Sequence, residues 1–149
     1  MPSALATTVI DVPVDTVFAF VDDWTNAPKY TQDLLKWEPA GAKTQGLGST
    51  FHATMKMGPT TQESTLEITR HEPGVVLGWE PRAGFSQRGA YTFAAQGQRT
   101  EVTFEIEFDL PGGLAGRLLG KTLEPAAKMN VTKTLKNLKA QVEAGGTGG

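Results

Sequence analysis

The sequence predicts an α+β fold: one curved antiparallel sheet of six to seven strands, two short helices after the first strand, and a long C-terminal helix packed over the concave face. Three observations carry this. From Trp37 to Leu110 apolar and polar residues alternate with period two, and Gly- and Pro-containing turns break the stretch into hairpin-length segments. A short run after Pro13 instead repeats by three and four, as a helix does. Beyond Pro111-Gly112-Gly113 the helical period returns and continues to about Ala144.

Taken in order, Leu5 to Val12 is rich in Val, Ile and Thr and stops at Pro13, which cannot donate to a ladder, so it reads as a strand. Val14, Val17, Phe18 and Val21 then form one apolar helical face. Asp22, Asp23, Asn26 and Pro28 interrupt it, and a second helical turn is expected between Ala27 and Leu35. Strands are expected at Leu35 to Lys43, Ser49 to Met57, Thr61 to His71, Val75 to Glu80, Ser86 to Ala94 and Thr100 to Leu110. The last alternates most cleanly, with Val102, Phe104, Ile106 and Phe108 on one side and Thr103, Glu105, Glu107 and Asp109 on the other. The C-terminal helix is expected to divide at Pro125, after which Ala127, Val131, Leu135, Leu138 and Val142 make one apolar stripe. Residues 1–144 read as a single domain, and the Gly-rich residues 145–149 as a flexible tail.

Composition narrows the function. The 149 residues are 39% apolar and 20% charged, which suits a globular chain and excludes a disordered one. A formal charge of -2 argues against a nucleic-acid partner. With no cysteine there is no disulfide, thiolate nucleophile or Cys-based metal site. No apolar run approaches the ~18 residues of a membrane span and no signal peptide is evident, so a cytoplasmic location is expected. Residues 112–149 hold six basic and two acidic side chains, against eight and fourteen in the rest. That asymmetry is compatible with peripheral contact to an anionic membrane, although such lysines more often form the solvated face of an amphipathic helix.

Six or seven twisted strands curl, and one helix roughly 10 Å wide cannot fill the hollow, so a cleft between helix and sheet is expected. Strand parity puts Met55 and Met57 on the inner face, with Trp79, Tyr91, Phe93 and Phe104 as further lining and Val131 and Leu135 closing the cleft from the helix. Parity also puts Gln62 and Arg70 inside, where a charge is usually paired or serves a ligand. Ordinary core packing is the competing reading for the apolar residues, and an ion pair for Arg70. Tyr91 is the best single candidate for a proton donor. His52 and His71 share faces with Thr, Glu or Lys and read as solvated; without a ligand-spaced His pair no metal site is expected, and no cofactor. Ser64 lacks a nucleophile motif, and Gly46-x-Gly48 lacks a complete dinucleotide fingerprint.

Several of these segments occur in an order that resembles the polyketide cyclase/dehydrase and lipid-transport family of the START-related helix-grip superfamily. They are Ile10-Asp11-Val12-Pro13 leading into Val17-Phe18, Asp22-Asp23 with Pro28, Gly46-Leu47-Gly48-Ser49-Thr50-Phe51, Glu72-Pro73-Gly74, Thr100-Glu101-Val102-Thr103 and the amphipathic C-terminal helix. The likeness runs from about Thr8 to Val142. Where many relatives have Trp after the first helical pair, this chain has Tyr30. The resemblance implies the helix-grip fold and a hydrophobic cavity, while fold alone does not choose among carriers, cyclases, dehydratases and plain binders.

The expectation is therefore a small hydrophobic partner, such as a lipid, quinone or aromatic polyketide, bound between sheet and helix by a monomer or homodimer. A cyclase or dehydratase working by proton transfer in the same cavity, and a protein-interaction module without a ligand, are the alternatives. Access is expected to need movement of Ala83-Gly84-Phe85 or of the Gly112-Gly113 hinge.

Overall fold

The computed structural model describes residues 3–57, 59–109 and 113–145, with the side chains of Met57 and of residues 113–123 outside the description. Strands β1 (Ser3–Ile10), β2 (Leu34–Pro39), β3 (Thr50–Met57), β4 (Thr60–Glu72), β5 (Val76–Gly84), β6 (Ser86–Gln96) and β7 (Arg99–Asp109) form one sheet in the order β1-β7-β6-β5-β4-β3-β2. Every pairing is antiparallel, and the first strand closes onto the last. Between β1 and β2 lie helix α1 (Val14–Asp22), a 3₁₀ turn (Trp24–Asn26) and the four-residue α2 (Ala27–Tyr30). The second helical turn is shorter than expected because Thr31 returns to extended backbone and Asp33 takes a positive φ of 65°, which an Asp tolerates in a turn.

Helix α3 (Gly113–Glu143) runs through Pro125 without the expected division. Its stripe of Ala127, Val131, Leu135, Leu138 and Val142 is buried with Val17, Phe18 and Val21 of α1 and Val102, Phe104, Ile106 and Phe108 of β7. The C-terminal half of α3 is tied to β1 and the residue that follows it. Lys139 Nζ donates to the Val9 carbonyl at 2.6 Å, and the Asp11 backbone N–H donates to Glu143 Oε2 at 2.8 Å. Its middle is tied to the chain after α2, where Asn130 Nδ2 donates to the Gln32 carbonyl at 2.6 Å and the Gln32 N–H donates to Thr134 Oγ1 at 3.0 Å. These anchors hold α3 at one side of the curled sheet and leave the hollow over β3 to β6 incompletely filled.

Candidate functional site

The unfilled hollow is a cavity of about 150 Å³. Its deep end is walled by Leu77, Trp79, Gln87, Tyr91, Phe104 and Ile106 from the central strands and by Tyr30 at the end of α2. Phe51, Ala53 and Met55 of β3 and Leu66 and Ile68 of β4 form the floor. The helix contributes Ala126, Ala127 and Asn130. Exposed Asp33, Gln45, Lys56 and Ala126 mark the rim.

Aromatic contacts set the walls. Tyr91 stacks on Phe104 with ring centroids 4.3 Å apart and planes 9° from parallel, and Trp37 stacks on Phe51 at 4.6 Å. Trp79 lies 5.9 Å from Tyr91 and 6.1 Å from Phe104. Room for its indole exists because the facing residue in the β5–β6 register is Gly89, where a Cβ would come within 2.7 Å of Trp79 Cζ2.

Polar groups in this wall have few partners. Trp79 Nε1 is buried with no hydrogen-bond partner. Tyr30 and Tyr91 are buried, and burial raises both phenol pKa values well above their ordinary range, each to a smaller degree helped by a neighbouring group, Asp23 for Tyr30 and Tyr30 for Tyr91. Both stay protonated at neutral pH and can donate. The buried Gln87 amide also faces the cavity.

At the rim, Asp22 joins three elements. Its Oδ1 meets His71 Nε2 at 2.9 Å and its Oδ2 accepts from Gln45 Nε2 at 2.8 Å, so α1, β4 and the β2–β3 connection share one carboxylate. The His71 ring packs edge-on against Phe18 at 5.5 Å. His71 is thus not the solvated residue that parity assigned. The cause is a β-bulge: Ile68 pairs with Trp79 and Arg70 with Gly78, which leaves Thr69 as an extra residue and exchanges the faces beyond it.

The same bulge corrects Arg70, which is exposed, lies beside Ala90 across Gly78, and does not line the cavity. Gln62 keeps the inner phase opposite Met55 but sits beyond the cavity, with Nε2 3.5 Å from Thr60 Oγ1. Phe93 is buried against Phe18 at 5.2 Å, because α1 covers that end of β6. Val131 and Leu135 are buried in the core rather than on the cavity wall, since α3 presents its preceding turn, Ala126 to Asn130, to the hollow. Met55, Trp79, Tyr91 and Phe104 do line it, and the Met57 side chain lies outside the described residues. Tyr30, Phe51, Gln87 and the Asp22–His71 pair were not selected as site residues from sequence. Gln87 shares the phase of Tyr91, and Phe51 that of Met55, so both were legible as inward, whereas Tyr30 and the Asp22–His71 pair depend on contacts between distant segments. Of the two expected moving elements, Phe85 is tied by its N–H to the Glu63 carbonyl at 2.8 Å and by its carbonyl to Ser64 Oγ at 2.8 Å. Gly112 lies outside the described residues.

A family model described as polyketide cyclase / dehydrase and lipid transport matches residues 1–143. The chain belongs to this family. Solved structures agree with the polyketide cyclase/dehydrase and lipid-transport assignment at the level of fold. TTHA0849 from Thermus thermophilus superposes with a TM-score of 0.83 at 20% identity, covering 96% of this chain and 98% of that one. The Zhui aromatase/cyclase from Streptomyces sp. R1128 gives 0.80 at 13% identity, covering 95% and 93%. A START superfamily protein from Mycobacterium smegmatis gives 0.66 at 16% identity, covering 95% and 97%. The curled seven-stranded sheet with its C-terminal helix is the START-type helix-grip fold. No curated protein sequence matches the chain. Among the described residues no helix is long and apolar enough to cross a membrane, and no three His, Asp or Glu side chains gather as metal ligands would.

Proposed function

We propose that this chain reversibly binds a small hydrophobic molecule in the cavity beneath α3. The observation that carries the reading is a predominantly apolar, aromatic-walled hollow between the curled sheet and α3. Apolar burial of roughly 25 cal/mol per Å² supplies the affinity, and the sparse polar groups set orientation. Family membership supports the same class of ligand. The two phenols that line the cavity are held above their ordinary pKa by burial, which suits them to hydrogen bonding a ligand rather than to giving up a proton at neutral pH.

Native mass spectrometry after incubation with single-ring, fused-ring and acyl-chain compounds tests this. A one-to-one adduct is expected, and it is lost in Ala126→Trp, which places a bulky side chain at the exposed rim without disturbing the core. An adduct that persists in this variant, or no adduct with any class, overturns the reading. A bound compound recovered with altered mass identifies the cyclase or dehydratase alternative.

A further inference from the structure

Resting on the binding reading above, we propose that Gln87 selects the ligand, its side-chain amide pairing with a neutral group that sets a hydrogen-bond donor beside an acceptor, as a carboxamide or lactam does. Gln87 shares the inward phase of β6 with Gly89, Tyr91 and Phe93, lines the cavity and is 8% exposed. Its surroundings are apolar. Phe108 faces it in the β6–β7 register, and Phe85 packs against that ring at 5.7 Å. No hydrogen bond joins the Gln87 amide to another described residue. The amide is nevertheless not sealed off, because among the described residues Trp79 Nε1 is the one unpartnered buried side-chain nitrogen or oxygen with essentially no accessible surface. An unpartnered but accessible amide, on a residue more than nine-tenths buried, opens into the space that the residue lines, which is the cavity.

Three features name the group that Gln87 meets. Nε2 donates and Oε1 accepts, so a cis amide satisfies both at once, whereas a ketone meets Nε2 and leaves Oε1 bare. An anion is disfavoured, since Lys56 is the only cationic lining residue among those described and is exposed at the rim, while the carboxylates of Asp22 and Asp33 also line the cavity. Finally, an unpartnered amide among apolar side chains lowers stability, and an apolar residue in its place would not. A bound ligand with the matching donor and acceptor removes that deficit, which is the pattern of a residue kept for recognition and not for packing.

Isothermal titration of the unaltered protein and of Gln87→Met with benzamide, acetophenone and α-methylstyrene tests this. The three share one shape and present, in turn, a donor with an acceptor, an acceptor alone, and neither. Their naphthyl counterparts are titrated alongside, so that ring number is not assumed. For each compound the ratio of its affinities for the two proteins cancels its own cost of leaving water. The substitution is expected to weaken benzamide roughly tenfold or more and acetophenone less, and to leave α-methylstyrene within about twofold. The Tm without ligand is expected to rise by about 2–4 °C, because methionine fills the same place without an unpartnered amide. Equal ratios for the three compounds, or a Tm that falls, overturn the role of Gln87 and leave the binding reading standing. Failure of every compound to bind the unaltered protein overturns both. The side-chain NH₂ resonances of Gln87 in the unaltered protein give a second reading that needs no variant: a downfield shift with benzamide and none with α-methylstyrene supports the assignment, and equal shifts overturn it.

Discussion

Gly89→Ala examines how the sheet register builds the cavity wall. Gly89 has an ordinary backbone conformation, so the substitution brings no φ penalty, and the added methyl carries the whole effect. An ideal Cβ there would lie 2.7 Å from the Glu105 carbonyl oxygen, 2.7 Å from Trp79 Cζ2 and 3.1 Å from Ile106 Cγ2. The carbonyl belongs to the β6–β7 ladder and cannot retreat alone, so the strand and the indole must both shift. Overpacking of this kind costs about 1–3 kcal/mol, and the stiffer unfolded chain offsets about 0.4–1 kcal/mol of it. A net loss of about 1–2 kcal/mol corresponds to a Tm lower by roughly 3–7 °C for a chain of this size. Differential scanning calorimetry measures the loss, and the Trp79 indole resonance should move with it. The loss should shrink in a Trp79→Phe background, where the ring atom nearest the new methyl is gone. A Tm within about 1 °C of the parent together with an unmoved indole resonance would refute the claim that Gly89 makes room for Trp79.

Two further outcomes follow from the polar groups. Asp22→Ala leaves His71 and Gln45 without their shared acceptor, and should lower stability by about 1–3 kcal/mol in urea unfolding while speeding amide exchange across residues 40–49; unchanged exchange in that connection would count against Asp22 as its anchor. The buried phenols of Tyr30 and Tyr91 make the fold sensitive to alkali. Below about pH 10 both folded and unfolded chains keep these protons, and the phenols add no pH dependence. Above it the unfolded chain releases protons that the folded chain retains, so stability falls by up to about 1.4 kcal/mol per pH unit for each phenol until the raised native pKa is reached. Urea unfolding between pH 9 and 11 should show a shallower decline in Tyr91→Phe, and an identical slope would contradict its burial as a neutral phenol.

The fold was legible wherever one local pattern settles one element. In β7, Val102, Phe104, Ile106 and Phe108 alternate without interruption and all four are buried. The stripe on α3 likewise named its buried face correctly, but periodicity specifies a face and not the neighbour it meets, so Val131 and Leu135 went to the core while the turn before them met the cavity. Parity failed at Thr69, because a bulge is decided by the register of β4 against β5 and not by either strand alone. That single extra residue turned Arg70 outward and His71 inward. The Asp22–His71 contact joins residues 49 apart, and the Trp79–Gly89 fit depends on two strands meeting at one position. Neither leaves a local signature in the chain.

The central claim, that the cavity beneath α3 takes a small hydrophobic molecule, is tested most directly by titrating isotope-labelled protein with acetophenone and following the methyl and indole resonances. The account predicts saturable, coincident shifts for the Met55, Ala53 and Ala127 methyls and for one of the three tryptophan indoles, the one absent from Trp79→Phe. The Trp37 indole, already donating to the Trp24 carbonyl at 3.1 Å, should respond least. Shifts confined to exposed side chains such as Leu5, Leu35 and Val75, with the cavity methyls unmoved at ligand saturation, would contradict it.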